Sequence, residues 1–474
     1  MFPQNRTKSS LFSLFKETLL AWSKTVDING VNKILLYKHS HACQLIWLIV
    51  LLASTCATIW IITLNICKFF EFDVVSQIKV VYEKPTQFPA VTICNNDGFT
   101  SHDAQLLYEL MASQSDSNTM HKTFSTVNQT LNTLVKMYAA TMSDDEKQKL
   151  GFDKRLILSC RFFGQRCEND LHWYYSYYYG NCWQFNAGVN FANIKQATHT
   201  GEQSGLSLVF HPLVNQNRFM TSYDTGLVVF VHNNSKQPTL NDRVYANLGK
   251  SSNIMVKKTI SQSYPYPYST CQDLTMYSSD LYDLILYTLN KVYNQPFCFE
   301  LCIQQNIIRA CNCYAQQYSK LNDINIKPCL TLQEASCVYK QEKSFVSHEC
   351  QTRSCPLECE QVFYDLSIST LTNPSLKEYS SLSETEREHY EKLTNMSVPF
   401  TYDFFKLLWA GVYVYYPSLD YTLIVESPKL TLIELLAEIG GSLGLFVSFS
   451  VFSLFEFIEL LVLFLKNLYN QPCL

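Results

Sequence analysis

"EIGGSLGLFVSFSVFSLFE" (residues 438–456) carries three glycines, four serines and a glutamate at each end inside an otherwise apolar run. Read as one continuous helix, Glu438 and Glu456 lie five turns apart on one face. Ser442 and Ser453 fall within about 60° of that face, and Glu459 about 60° to its other side. An ionised carboxylate at bilayer depth costs about 2.5–3.5 kcal/mol on insertion scales, so acids there face a protein interior or water. The stripe fits the wall of a water-filled pore. The bland alternative puts both acids at the membrane interfaces and leaves the small residues to helix packing.

Ser448 and Ser450 weigh on the choice, because in a continuous helix they point about 160° apart and cannot line one lumen together. Both contribute only if the helix opens locally. Open backbone at membrane depth is tolerated where it lines a cavity or is covered by protein. Gly440, Gly441 and Gly444 suit close packing and helix opening alike. One such helix per chain cannot enclose a channel, which points to several copies around an axis.

The apolar run continues on both sides of this segment, so residues 435–465 are expected to span the membrane a second time. The first crossing is "ACQLIWLIVLLASTCATIWIITLNIC" (residues 42–67), uncharged throughout and about 39 Å long as a helix. It starts too late and runs too long for a signal peptide. Arg6, Lys8, Lys16, Lys24, Lys33 and Lys38 precede it, which places the N-terminus in the cytosol. Two crossings return the C-terminus there. The expected organisation is a cytosolic 1–41, a transmembrane helix 42–67, an extracellular 68–428, a pre-pore and pore-lining segment 429–465, and a cytosolic 466–474.

Of the 18 cysteines, fourteen lie between Cys94 and Cys359, and Cys43, Cys56, Cys67 and Cys473 lie outside that stretch. Such a load suits an oxidising compartment. Asn128, Asn233 and Asn395 head glycosylation sequons in the same stretch. A net charge of -4 proposes no nucleic-acid partner. "KVVYEKPTQFPAVTICN" reads as strands, "LSLVF" and "GLVVFVH" as central strands, and residues 103–113 and 281–293 as helices, so the ectodomain is mixed α and β. No nucleophile–base pair or metal motif marks an enzyme. Gly249-Lys250-Ser251 resembles the end of a phosphate loop, but the required glycine is missing near Tyr245 and Ala246.

With these residues in view, the chain resembles the degenerin / epithelial sodium channel / acid-sensing channel superfamily. The markers are "FPAVTICN" (88–95), "YGNCWQFN" (179–186), "GEQSGLSLVF" (201–210), "YPYPYSTC" (264–271), the cysteine-rich block 298–359 and "LLAEIGGSLGLF" (435–446), in the family's order. The resemblance implies an α+β membrane protein. Its two transmembrane helices flank a disulfide-rich ectodomain, and three subunits assemble into a plasma-membrane channel, homomeric or mixed. It implies sodium as the permeant ion, with calcium the second candidate, amiloride block, and no cofactor.

It further implies a gate at Ala437, the family's small-residue position where a bulky substitution holds such channels open, and at Glu438 beside it, a pore wall through Gly440, Gly441, Ser442 and Glu456, and a selectivity filter at Ser448-Phe449-Ser450. Serine at 448 departs from the commoner glycine. Asn29-Gly30 stands where the family usually has His-Gly ahead of the first span, and taken alone is an ordinary tight turn. Spacing cannot pair fourteen cysteines. The acid-sensing members' pattern implies Cys94–Cys182, Cys160–Cys167, Cys271–Cys359, Cys298–Cys355, Cys302–Cys350, Cys311–Cys337 and Cys313–Cys329. Zinc on Cys298/Cys302 and Cys311/Cys313 is the rival use.

The stimulus is less legible. Asp144-Asp145-Glu146 is the one dense acidic run, and reads first as a solvated helix start. "HWYYSYYYG" (172–180) offers aromatic contacts to a peptide ligand or to a neighbouring element. The resemblance favours an extracellular neuropeptide as the opener, with proton gating second. Outside the family, a two-span scavenger or lipid-transfer receptor shares the topology without needing an acidic, serine-bearing second span.

Overall fold

The computed structural model describes residues 41–114, 124–188, 194–211, 224–239, 242–274, 278–288, 292–321, 326–345, 350, 354–394, 400–448 and 450–469. The chain forms two compact units, Met1–Val75 with Ser427–Leu474, and Ser76–Glu426. Helix α1 (His41–Phe70) is followed by β1 (Val74–Tyr82), β2 (Ala90–Asn95), α2 (His102–Gln114), α3 (Phe124–Ala139) and α4 (Asp144–Lys149). Then come β3 (Ile157–Phe162), β4 (Leu171–Ser176), β5 (Gly180–Phe185), β6 (Leu206–Phe210), β7 (Leu227–His232), β8 (Arg243–Ala246) and β9 (Lys250–Gln262). Helices α5 (Gln295–Cys311) and α6 (Leu332–Ser344) precede β10 (Glu360–Thr372), and β11 (Ala410–Tyr415) and β12 (Asp420–Pro428) lead to α7 (Leu432–Val447) and α8 (Val451–Tyr469).

The larger unit is built on two sheets. One runs β1–β12–β9–β11–β6–β3, with β10 also paired to β9, and the other runs β8–β7–β2–β5–β4. Strand β9 organises the first. Its full length pairs antiparallel with β10, from Lys250↔Thr372 to Gln262↔Glu360. It also takes β11 parallel at residues 250–255 and β12 parallel at residues 258–262.

Alternation in β6 turns Leu206, Leu208 and Phe210 inward. They pack with Ile254, Val256, Val412 and Val414 of the same sheet and with Val91, Ile93, Phe185, Leu227, Val229 and Val231 of the other. The β7 run "LVVFVH" lacks alternation because both of its faces are buried. Its opposite face sets Val228 and Phe230 against Tyr179 and the Cys94–Cys182 bridge. Gly98 is required beside the β4–β5 hairpin tip, since a Cβ there would overlap the Tyr179 carbonyl.

Helices α2 and α3 share a core of Ala104, Leu107, Met111, Leu131, Val135 and Ala139. Helices α5 and α6 are fixed by disulfides. The structure joins Cys271–Cys359, Cys298–Cys355, Cys302–Cys350, Cys311–Cys337 and Cys313–Cys329 there, and Cys94–Cys182 and Cys160–Cys167 elsewhere. The cysteines proposed for zinc are thus in disulfides. Residues 281–293 are not the single helix expected from their periodicity. A short α-turn at Asp280–Asp283 widens to a π turn at Leu284–Thr288, and Asn294 then caps α5.

Candidate functional site

The smaller unit holds the residues expected to line a pore. Helix α1, 30 residues long, is the one described helix long and apolar enough to cross a membrane. It packs against α7, and Thr58 and Leu435 are their buried side chains. At the end of α1, the rings of Phe69 and Phe70 and of Phe72 just beyond it meet within 5.5–6.2 Å.

Helix α7 begins where its sequence can cap it. The Thr431 N–H donates to Glu434 Oε2 at 2.8 Å, and the Glu434 N–H donates to Thr431 Oγ1 at 3.3 Å. This reciprocal pair satisfies two amides that the first turn leaves open. Ala437, Glu438, Gly440 and Gly441 follow and are exposed in the protomer. A Cβ at Gly440 or Gly441 would meet nothing within 4 Å, so packing inside the chain does not require glycine at either position. Ser442 donates its hydroxyl to the Glu438 carbonyl at 2.7 Å. The two residues therefore sit one turn apart on one face.

The helix stops at Ser448. This residue is left-handed, with φ 55° and ψ 28°, and its N–H closes on the Gly444 carbonyl at 3.2 Å. Ser450 is non-helical and α8 begins at Val451, while Phe449 lies outside the described residues. The backbone thus opens between α7 and α8 rather than continuing as one helix. From Leu432 to Tyr469 the chain forms α7, 16 residues and about 24 Å, and α8, 19 residues and about 28 Å. The five-turn phase relation between Glu438 and Glu456 does not hold, because left-handed Ser448 and non-helical Ser450 interrupt the helix between them. Glu456 is placed on α8 by its backbone. What the break does supply is the local opening that Ser448 and Ser450 need to share a lumen.

The remaining candidates are spread along the chain. Asn29, Gly30 and Asn395 lie outside the described residues, and Asn128 is placed on α3 by its backbone. Asn233 heads a turn in which its Oδ1 accepts the Ser235 N–H at 3.0 Å. The cysteine pairs in the structure are the seven that the family resemblance implies. Asp144-Asp145-Glu146 opens α4, where hydrogen bonds from Ser143 hold the Glu146 carboxyl below the usual range. This run is a helix cap. "HWYYSYYYG" forms β4, the hairpin tip and the start of β5, and Tyr177 at the tip packs on the core that joins α5 and α6.

One unit thus carries a long apolar helix with α7, which ends in an open turn at Ser448, and the other is a disulfide-stapled pair of sheets. The sequence profile of the amiloride-sensitive sodium channel family matches residues 22–460, and the chain belongs to that family. The human bile acid-sensitive ion channel is 25% identical over 458 residues, covering 92% of this chain and 84% of the relative. Zebrafish (Danio rerio) acid-sensing ion channel 1C is 21% identical over 485 residues, covering 97% and 86%. Epithelial sodium channel subunit gamma-2 of Xenopus laevis is 28% identical over 329 residues, covering 68% and 47%. The scavenger or lipid-transfer receptor alternative is thereby replaced, and these relatives are ion channels rather than enzymes.

Proposed function

We propose that the chain is a pore-forming subunit of a plasma-membrane sodium channel, opened by an extracellular peptide. Three subunits, identical or related, surround the pore, with both termini in the cytosol. The observation that carries the pore assignment is the break at Ser448–Ser450 in a chain of a sodium channel family. Carbonyls of a non-helical stretch replace part of an ion's water shell, and small side chains let three such stretches approach an axis. Glu438, ten residues earlier on an exposed face, adds negative potential on the approach. Sodium is the permeant ion, calcium the second candidate.

Assembly is supported by Gly440 and Gly441, whose open surroundings in one chain leave room for the same helix of neighbouring subunits. A relative named as a channel subunit agrees with this. Peptide gating is supported by the tyrosine-rich hairpin tip beside the disulfide-stapled helices. The dense acidic run is taken up in capping α4, which counts against it as a proton sensor. The test is expression in oocytes, alone and with related subunits, with amidated peptides and acid steps applied with and without amiloride. Amiloride-blocked current evoked by peptide supports the reading. Current evoked by acid alone replaces the peptide with the proton, and surface protein without current in any combination sinks the channel assignment.

A further inference from the structure

The larger unit contains a cavity of about 540 Å³, walled by three segments that are distant in the chain. Helix α3 supplies Met137, the β4–β5 tip supplies Tyr177, and α6 supplies Leu332, Tyr339 and Glu342, with Gln317 closing one side. Its volume lies in the range that holds drug-sized ligands or the end of a peptide. The floor is firm, since Met137, Ala315, Cys329 and Val338 are buried in one core and the Cys311–Cys337 and Cys313–Cys329 bridges fix it. The rim is wet, with Tyr339 65% exposed.

Its charge is one-sided. Among the described lining residues Glu342 is the one ionisable carboxylate, and none is Lys, Arg or His. Glu342 Oε1 accepts both Gln317 Nε2 at 2.8 Å and the Tyr318 hydroxyl at 2.7 Å. The carboxylate is therefore aimed by two donors through one oxygen, and a carboxylate has acceptor sites beyond those two. Burial pushes the Tyr178 phenol up to about 12, and Glu342 and Glu300 add to that push.

We propose that this cavity seats the cationic end of the activating peptide, with a guanidinium or ammonium on Glu342 and a neighbouring apolar side chain against Tyr177, Leu332 and Tyr339. The proposal rests on the reading of the chain as a peptide-gated channel. A cation over tyrosine faces and on a carboxylate gains from both, whereas an anionic amphiphile meets the carboxylate with no counter-charge in the lining. An occupant bridges α3 and the hairpin tip to α6, so binding draws together walls that belong to different elements.

The test uses full-length channels in oocytes and two probes, the C-terminally amidated peptide Gly-Gly-Arg-Phe and its neutral citrulline analogue. The arginine peptide is expected to evoke current and the citrulline analogue to need at least about tenfold more. Glu342→Gln should raise the half-maximal concentration of the arginine peptide about tenfold and erase the difference between the probes. Surface labelling, and the standing current of Ala437→Phe placed in the same Glu342→Gln channel, show that folding and pore are intact.

A second variant reads the cavity's charge without gating. Ser336→Cys should react several-fold faster with a cationic than with an anionic methanethiosulfonate, relative to their rates on a free thiol, and Glu342→Gln should cancel that preference. Peptide currents with unchanged potency in Glu342→Gln and Tyr339→Ala overturn the site and leave peptide gating standing. No peptide current in a channel that conducts as Ala437→Phe overturns the peptide reading, and the site with it.

Discussion

Lys429 Nζ lies 3.0 Å from Asp73 Oδ2, joining the segment that leaves α1 to the segment that enters α7. Both side chains are largely exposed, at 62% and 49%. Such an exposed, solvent-screened pair contributes little to stability. Its interest is positional, because it links the residue three beyond the end of α1 to the residue three before the start of α7. Lys429→Gln is expected to leave the thermal midpoint essentially unchanged. Cysteines at both positions, bridged by a bifunctional methanethiosulfonate, are expected to arrest evoked current until a reductant restores it. Undiminished current from the bridged channel would show that these ends do not move in opening.

Ser448 adopts a left-handed backbone that costs a non-glycine residue about 1–2 kcal/mol. Ser448→Gly removes that cost and keeps the break, so current at equal surface expression is expected to persist or rise. Ser448→Val adds a β-branched side chain where left-handed φ is hardest to reach, and is expected to reduce current at least about tenfold through loss of the break. Single-channel recording of the two variants checks both.

Gly441 has open space around it in one chain. If that space belongs to neighbouring subunits, Gly441→Leu leaves the protomer's fold unchanged and disrupts assembly or conduction. Native gel mobility and current, compared at matched protein level, read the two effects. A normal oligomer with normal current would place this face against lipid instead.

Acid should act on α6 only far below neutrality. Burial raises the Glu334 pKa, but bonds from Lys327, Thr331 and Leu330 outweigh it and bring the value to about 2. A carboxyl depressed below its unfolded value of about 4.3 contributes its full stability above that pH and loses it as pH falls through the folded value. The protection factors of α6 amides in the full-length protein, measured against intrinsic exchange at each pH, are therefore expected to stay level from pH 7 to about 4.5 and to fall toward pH 2. Glu334→Gln removes the ion pair and weakens the cap, and should cost about 1–2 kcal/mol at pH 7.

The sheets were largely legible in the sequence. "LSLVF" declares one buried face by alternation, and "GLVVFVH" declares a strand buried on both. The pore segment was legible in its contradiction, since Ser448 and Ser450 cannot share a lumen on a continuous helix. The Glu438–Glu456 phase argument went wrong for the same reason, as periodicity assumes the continuity that the αL turn ends. Disulfide pairing was not legible from spacing, because residues as far apart as Cys271 and Cys359 meet only through the fold. The half-buried Lys258–Glu83 pair, 2.9 Å apart across 175 residues, has no local signature in either segment. The cavity at Glu342 was equally hidden. Its tyrosine wall stood out in composition, but α3 and α6 reach it from separate parts of the chain.

The central claim is that water and cations pass along α7 and the break that ends it. The direct test is a cationic methanethiosulfonate applied from outside to Ser442→Cys in the Ala437→Phe background, expressed with whichever subunits give surface channels. The account predicts a standing, amiloride-sensitive current in Ala437→Phe and its irreversible block once Cys replaces Ser442. A standing current that the reagent leaves untouched, or no current from Ala437→Phe in any surface-expressed combination, would contradict it.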